Sequence, residues 1–391
     1  MQNSKLQLKI QKLTRIILSL TLFVILFISL AQAIQVDLGF GTLAERLKKI
    51  REANLSLLEA RYYKKLGDKT VQCQLCPNFC VLPNGRKGLC GARMNVNGKL
   101  YTLVYGKPVA VHVDPIEKKP FSHFLPGTTA FSIATAGCNL GCIFCQNWQI
   151  SQARPEETIH YNLSPEEIVK LAIKYESKSI AYTYTEPTIF YEYMLDTAKL
   201  AKKKGIRNVM HTCGYINPEP LKELLKYMDA VNVDLKGFSE EFYQTMCKGR
   251  LQPVLETIKT VKRSGVWLEI TNLVIPGKND DPKTIRSMCL WIKENAGPDV
   301  PVYFSAFTPH YQLQNLPPTP VATLEMAYKI GKEAGLNYVY IGNVYGHTKE
   351  HTYCPKCGKI LIERLGFAVL SNNIVSGKCK FCGYKVPGVW Q

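Results

Sequence analysis

Apolar, strand-like segments alternate with helical segments between about residues 130 and 334 of this 391-residue chain. The predicted strands are 130–135, 179–183, 207–211, 230–234, 267–271 and 302–306. The predicted helices are 165–174, 189–204, 218–227, 254–264, 284–295 and 322–334. This order predicts an α/β fold with a parallel sheet and right-handed crossovers. Six units indicate an incomplete parallel (β/α)6 barrel, because a full barrel has eight units and a doubly wound dinucleotide fold would show a glycine-rich phosphate loop.

Three cysteines follow directly after the first predicted strand, in the order Cx3Cx2C. They are Cys138, Cys142 and Cys145. Such short spacings let one loop supply three thiolates to a 4Fe–4S cluster, and no fourth cysteine is near, so one iron stays open for an external ligand. In a barrel, the loops after the strands form the catalytic face. The structural alternative is a zinc knuckle with a distant fourth ligand.

A second cysteine set precedes the barrel. It consists of Cys73, Cys76, Cys80 and Cys90. Four thiolates can close a tetrahedral zinc site or bind an auxiliary iron–sulfur cluster, and we favour structural zinc here.

A third cysteine set lies near the C-terminus, in two CxxCG knuckles. It consists of Cys354, Cys357, Cys379 and Cys382. This pattern is typical of a zinc ribbon or a rubredoxin-like module, in which an iron ion would relay electrons, and we again favour zinc. The chain is therefore expected to carry small cysteine-rich metal-binding modules at both ends of the barrel. Cys213, Cys247 and Cys289 show no ligand spacing.

The segment Gly137–Cys145, with Phe144 before the last cysteine, resembles the Cx3CxΦC motif of the radical S-adenosylmethionine (SAM) superfamily. The resemblance implies that the open iron binds the amino and carboxylate groups of SAM. Reductive cleavage then gives methionine and a 5′-deoxyadenosyl radical, which abstracts hydrogen from a substrate. It also implies a low-potential electron donor such as flavodoxin or ferredoxin.

A narrower resemblance rests on longer segments and covers roughly residues 70–391. These segments are 135–140 with 145–148, Cys73–Pro77, Asp114–Pro120, Tyr182–Pro187 and the C-terminal knuckles. They look like the pyruvate formate-lyase-activating-enzyme-like branch, and most like the AmmeMemoRadiSam system radical SAM enzyme. That family implies association with two other protein families. It fixes no substrate, and a protein is one candidate. The alternatives are an activase of a glycyl-radical enzyme and a non-catalytic RNA-binding protein that is stabilised by zinc.

The resemblance also implies roles for five residues that follow predicted strands. They are Glu186, Asp234, Lys236, Asn272 and His310. Glu186 stands where the superfamily has Gly-Gly-Glu, although Tyr184 and Thr185 replace the glycines, and would hold the α-ammonium of SAM. A structural alternative is an acid at the first turn of a helix.

Asp234 and Lys236 resemble the Asp-x-Lys that lies beside SAM in glycyl-radical activating enzymes; the alternative is a salt-bridged strand end. Asn272 would contact the ribose or carboxylate of SAM. His310 would donate to adenine or to the substrate, or be a structural histidine. Because all five positions follow strands of one parallel sheet, they are expected to converge with Cys138 on one rim.

The chain carries 49 Lys and Arg against 31 Asp and Glu, a net charge of +18. The positive residues are scattered and accompany no nucleic-acid motif, so we favour a solvated basic surface over a nucleic-acid partner.

An uncharged apolar segment occupies residues 16–33, after Lys5, Lys9, Lys12 and Arg15. It predicts a signal peptide or a membrane anchor, and we favour an uncleaved anchor with the catalytic part in the cytoplasm over a mis-assigned start site. Four regions are expected. They are 1–35, the signal-like or anchor segment; 36–125, a helix over 43–66 and the first four-cysteine set; 126–345, the barrel; and 346–391, the C-terminal module.

Overall fold

The computed structural model describes residues 42–391, which begin with one helix and two small antiparallel sheets. Helix α1 is Leu43–Glu52. The strands that follow are β1 Leu58–Glu59, β2 Tyr63–Gly67, β3 Thr70–Cys73, β4 Val81–Leu82, β5 Arg93–Val96 and β6 Lys99–Thr102. They form sheets in the orders β1-β6-β5 and β2-β3-β4. The predicted helix over 43–66 is wrong beyond Glu52, because Asn54 takes a left-handed conformation (φ 49°) that ends the helix.

An eight-stranded sheet forms the centre of the described chain. Its strands are β7 Pro108–Pro115, β8 Thr129–Thr135, β9 Ser179–Tyr182, β10 Arg207–Thr212, β11 Ala230–Asp234, β12 Trp267–Val274, β13 Val302–Ala306 and β14 Val339–Gly342. Their order follows the sequence, with β7 and β14 at the two ends. Strands β8 to β14 are parallel, whereas β7 pairs antiparallel with β8. The α/β fold and the incomplete parallel barrel are therefore confirmed, and the sheet gains one strand at each side of the predicted six.

Helices cross between successive parallel strands. In chain order they are α2 Trp148–Ser151, α3 Pro165–Lys174, α4 Tyr191–Lys203, α5 Pro218–Leu225, α6 Glu240–Phe242, α7 Leu251–Ser264, α8 Pro282–Ala296 and α9 Val321–Glu333. The sequence signals that begin and end them are local: Ser164 and Glu167 form a capping box before α3, and Gly265 (φ 80°) ends α7. A π-helical turn, Tyr243–Cys247, follows α6.

The register of the parallel strands brings their carboxyl ends to one edge of the sheet. Asp234 pairs with Thr271, Leu273 with Ser305, and Ser305 with Gly342. Polar residues at these ends therefore share one rim, as in other barrels of parallel strands.

The C-terminal module begins after β14 and packs against the barrel. Its strands are β15 Thr352–Tyr353, β16 Ile360–Leu365, β17 Ala368–Asn372, β18 Ile374–Val375 and β19 Lys378–Cys379. Its buried Leu361 and Ile362 share a core with Tyr303 of β13 and Tyr340 of β14. Strand β7 lies before the predicted boundary at residue 126 yet pairs with the barrel, so the region boundaries stay predictions.

Between Thr42 and Gln391 no helix combines the length and the apolarity needed to cross a membrane. The predicted anchor at residues 16–33 lies outside the described residues.

Candidate functional site

A cavity of about 740 Å³ lies at the carboxyl ends of the parallel strands. Cys138, Cys142 and Cys145 line it together. Glu186, Asp234 and Lys236 also line it, so the structure brings these six predicted residues to one site.

Backbone contacts fix the loop that carries the three cysteines. The N–H groups of Gly141 and Ile143 donate to the carbonyl oxygens of Cys247 (2.9 Å) and Met246 (3.0 Å) in the π-helical turn. The Cys142 and Cys247 thiols are hydrogen-bonded, and this contact together with burial raises the pKa of Cys142. Cys247, which has no spacing signal in the sequence, therefore supports a predicted ligand.

Glu186 is fully buried and accepts four hydrogen bonds. Its Oε1 accepts from the backbone N–H of Thr188 (3.1 Å) and from the hydroxyls of Thr188 (2.6 Å) and Thr212 (2.7 Å). Its Oε2 accepts only from the backbone N–H of Cys213 (2.6 Å). The carboxylate thus caps the turn that follows β9, and Oε2 keeps acceptor capacity toward a ligand.

Tyr184 adopts a left-handed conformation, with φ 63°. Glycine adopts this conformation without strain, which fits a first glycine in Gly-Gly-Glu at the position that Tyr184 occupies here. Here a tyrosine is held in place by its surroundings: its hydroxyl donates to Asp114, its ring lies 3.9 Å from the Lys119 Nζ, and its carbonyl accepts from Asn147 (2.9 Å). The contacts of the tyrosine offset the strain that a glycine would avoid.

Asp234 lies between two basic side chains. Its Oδ1 is 2.9 Å from His211 Nε2, and its Oδ2 is 3.0 Å from Lys236 Nζ. Burial raises the pKa of Asp234, but Lys236 and His211 lower it by more, so the net shift is downward. The Lys236 ammonium also lies 5.9 Å from the Phe144 ring, next to the cysteine loop. A salt-bridged strand end is therefore present, and it faces the cavity.

Two predicted residues do not line the cavity. Thr271 lines it, and because side chains alternate along a strand, Asn272 points the other way and donates to the Leu235 carbonyl (2.7 Å). His310 is exposed and forms an isolated bridge with Leu313 outside the cavity lining. Thr271, rather than Asn272, lines the cavity at this strand, and the ligand roles of Asn272 and His310 stay predictions.

Sequence reasoning missed several residues of the cavity wall. Lys119 is 2% exposed, bonds to Asp114 (2.8 Å), and has its pKa lowered to about 8 by burial, which Asp114 partly offsets. Arg364 reaches the cavity from the C-terminal module and donates to the Ser122 carbonyl (2.8 Å). The motif Asp114–Pro120 could have indicated from the sequence that Lys119 belongs to the site, whereas no sequence pattern indicated Arg364.

The four C-terminal cysteines are arranged as a metal-binding site. Their four sulfur atoms lie within 4.8 Å of one another, with Cys354 and Cys382 3.6 Å apart and Cys357 and Cys379 3.8 Å apart. Four sulfurs bound tetrahedrally at about 2.3 Å from a zinc ion would lie roughly 3.8 Å apart. The set therefore fits a single tetrahedral ion.

Replacing Cys379 with serine is expected to remove about one metal ion per chain and to lower the melting temperature by about 10 °C, because a metal held by all four thiolates would stabilise this small module. Metal analysis and calorimetry measure both effects, and the iron–sulfur absorbance should stay. An unchanged melting temperature with slower cluster reduction would instead indicate an electron-relay role.

Comparisons with known proteins agree with this site. Residues 132–288 match the family model described as the radical SAM superfamily. An uncharacterized protein of Methanocaldococcus jannaschii is 48% identical over 330 residues, covering 84% of this chain and 98% of its own length. A pyruvate formate-lyase-activating enzyme of Clostridium pasteurianum is 25% identical over 166 residues, covering 40% of this chain and 66% of its own length.

Among solved structures, a domain of pyruvate-formate lyase-activating enzyme from Bacteroides vulgatus covers 42% of this chain and 99% of that chain, with 19% identity and a TM-score of 0.38. The cysteine loop lies at the mouth of a parallel barrel, and the chain is similar in sequence to an activating enzyme. The chain belongs to the radical SAM superfamily, whose members use a 4Fe–4S cluster and SAM.

Proposed function

We propose that this enzyme cleaves SAM at a 4Fe–4S cluster held by Cys138, Cys142 and Cys145, and abstracts hydrogen from a protein substrate. The observation that carries the proposal is the convergence of these three thiols with Asp234, Lys236 and Glu186 on one cavity. When bound, the cluster supplies the electron that cleaves SAM to methionine and the 5′-deoxyadenosyl radical.

The three sulfurs fit a cluster better than a single ion. Within residues 42–391 they do not form a group whose ligand atoms lie within 4.8 Å, whereas the C-terminal cysteines do. Thiolates that bind three different irons of a cube lie farther apart than those that share one zinc ion. Burial raises the pKa of the Cys138 thiol, so cluster binding should displace its proton.

Charged side chains of the enzyme would orient SAM by contacting its ammonium and carboxylate groups. Oε2 of Glu186 would accept from the α-ammonium of SAM, because it has one donor among the described residues and Glu186 lines the cavity. The Lys236 ammonium, fixed by Asp234, would attract the SAM carboxylate and offset the negative charge of the cluster. Thr271 and Ser305 line the same wall and would serve as polar contacts to the ribose.

Two exposed aromatic side chains at the cavity suit a protein substrate. Tyr345 is 79% exposed, Phe367 is 49% exposed, and both line the cavity beside the C-terminal module. Exposed aromatic residues are common anchors for bound protein segments. The relatives named above include an enzyme that activates pyruvate formate-lyase, which is itself a protein. Activation of a glycyl-radical enzyme is therefore the second candidate within the same proposal.

An electron must reach the cluster from outside the chain. We assign this role to a small acidic carrier of the flavodoxin or ferredoxin class, because the net charge of +18 attracts acidic partners over long distances.

Deuterium transfer tests the substrate class. The reduced enzyme is incubated with SAM and a perdeuterated lysate that has been split into a protein fraction and a small-molecule filtrate. We expect deuterium in 5′-deoxyadenosine only with the protein fraction, because the radical takes its hydrogen from the substrate. Mass spectrometry of the nucleoside is the readout, and label from the filtrate alone would overturn a protein substrate.

Matched variants separate docking from chemistry. Tyr345→Ala and Phe367→Ala should each lower label transfer about tenfold while background SAM cleavage stays. Tyr161→Ala, which removes a 58% exposed aromatic outside the cavity lining, should leave the transfer unchanged. Equal losses in all three variants would contradict docking at the cavity mouth.

A further inference from the structure

The cysteines of the set before the barrel line a second, small and largely buried cavity. They are Cys73, Cys76, Cys80 and Cys90. Strand β3 ends at Cys73, and the other three lie in the turns on either side of β4. The set is one continuous site within a loop-rich segment, separate from the cavity that holds the catalytic cysteines.

The spacing of these sulfurs differs from that of the C-terminal set. Within the described part of the chain, the C-terminal cysteines form a group with all ligand atoms inside 4.8 Å, and the N-terminal set forms none. A Cβ placed on Gly88 would lie 3.8 Å from the sulfurs of both Cys80 and Cys90, so this glycine keeps space beside the two ligands. A tetrahedral zinc ion requires sulfurs roughly 3.8 Å apart, whereas a cube binds each thiolate to a different iron and holds them wider.

The wall of this cavity carries a hydrogen-bond donor that has no partner among residues 42–391. Arg93 is 2% exposed and lines the cavity, and its Nε makes no hydrogen bond to any described residue. Its two other nitrogens are engaged by the Glu192 carboxylate (2.6 and 2.7 Å) and by the Arg61 carbonyl (2.9 Å). A buried N–H without a partner is costly, and the sulfides and thiolates of an iron–sulfur cluster accept such bonds.

Beyond the cysteines and Arg93, the wall combines apolar residues, the polar Asn78 and Thr188, and one residue of the catalytic loop. Leu75 and Ile189 are buried there, which excludes water from the site. Asn139, between Cys138 and Cys142, also lines this cavity, and its carbonyl oxygen accepts from the Asn78 side chain (2.8 Å). The Cys90 carbonyl packs so closely on Gly137 that an added Cβ would collide with it. The second site therefore lies directly against the loop that holds the first.

We infer that Cys73, Cys76, Cys80 and Cys90 bind an auxiliary 4Fe–4S cluster, with one thiolate on each iron and with Arg93 Nε donating to a cluster or cysteine sulfur. The proposal takes the iron–sulfur alternative for these four residues in place of the structural zinc favoured from the sequence. The wide sulfur spacing and the unpartnered donor carry the assignment, and both differ from the compact set at the C-terminus.

Iron counting in a variant without the catalytic ligands tests the site on its own. The protein in which Cys138, Cys142 and Cys145 are all alanine is reconstituted anaerobically with iron and sulfide. We expect about four irons and four sulfides per chain, brown colour and a Mössbauer spectrum of a 4Fe–4S cluster. The unaltered chain should hold about eight irons and about one zinc. Since the variant has no catalytic cluster, the result does not depend on SAM cleavage.

The reciprocal variant and a matched control complete the test. Cys76→Ala with Cys80→Ala should reduce the iron of the otherwise unaltered chain from about eight to about four. Cys289→Ala, which removes a buried cysteine of α8 outside both cavities, should keep about eight. A colourless variant without the catalytic ligands, or an unaltered chain with about four irons and two zinc ions, would overturn the auxiliary cluster and restore the zinc site.

Discussion

Replacing Cys142 with alanine is expected to remove the catalytic cluster and to lower SAM cleavage by more than about a thousandfold, because two cysteines cannot hold three irons of a cube in position. Cys142 is buried in the loop, lines the cavity and is hydrogen-bonded to Cys247. Anaerobic reconstitution followed by iron analysis and quantification of 5′-deoxyadenosine measures both losses.

Cys289→Ala is the matched control for this variant, since it removes a cysteine of similar burial away from the cavity. It should keep the iron content and the activity. Undiminished product from the Cys142 variant would show that the loop is not the catalytic centre.

Replacing Asp234 with asparagine is expected to lower the free energy of unfolding by about 2–3 kcal/mol and SAM cleavage by at least about tenfold. The variant leaves the Lys236 ammonium without its carboxylate in a largely buried setting, with 14% of the lysine side chain and 22% of Asp234 exposed. This residual exposure places the expected loss at the lower end of the range for buried pairs. Urea unfolding and product analysis measure the two effects.

The difference in the free energy of unfolding between the unaltered protein and the Asp234→Asn variant should depend on pH. Lys236 and His211 hold the pKa of Asp234 below its ordinary value despite burial. The stabilisation is therefore present above about pH 4, the ordinary range of an aspartate, and is lost as the pH falls through the lower folded-state value. The difference between the two proteins should shrink only in strong acid.

Glu219→Gln is the control for the loss of charge. Glu219 pairs with Lys222 at the same 3.0 Å distance, but the two side chains are 76% and 61% exposed. Removing this pair should change the free energy of unfolding by less than about 1 kcal/mol. Similar losses in both variants would mean that burial of the Asp234 pair has no special effect.

The barrel could be predicted from the sequence because the spacing of apolar residues and the helix-capping residues indicate the same strands and helices. The predicted strand over 230–234 and helix over 165–174 are reproduced by β11 and α3. Strand β14 was not among the predicted strands. The place of β7 at the sheet edge depends on its pairing with β8, which local pattern does not specify. The helix over 43–66 was overextended because Asn54 ends it by backbone conformation alone.

The site was predictable where a residue ends a strand or lies in the loop directly after it. Cys138, Glu186 and Asp234 follow that rule and line one cavity. Asn272 does not line the cavity, because a shift of one residue along a strand reverses the direction of the side chain. Cys247 and Arg364 reach the site through contacts between segments distant in sequence, and no local pattern indicates such contacts.

The most direct test of the catalytic assignment is the product formed from SAM by the anaerobically reconstituted chain with dithionite as reductant. We expect 5′-deoxyadenosine and methionine in equal amounts, formed only when both the iron–sulfur cluster and the reductant are present. Intact SAM after incubation with a fully loaded and reduced cluster would contradict the catalytic assignment.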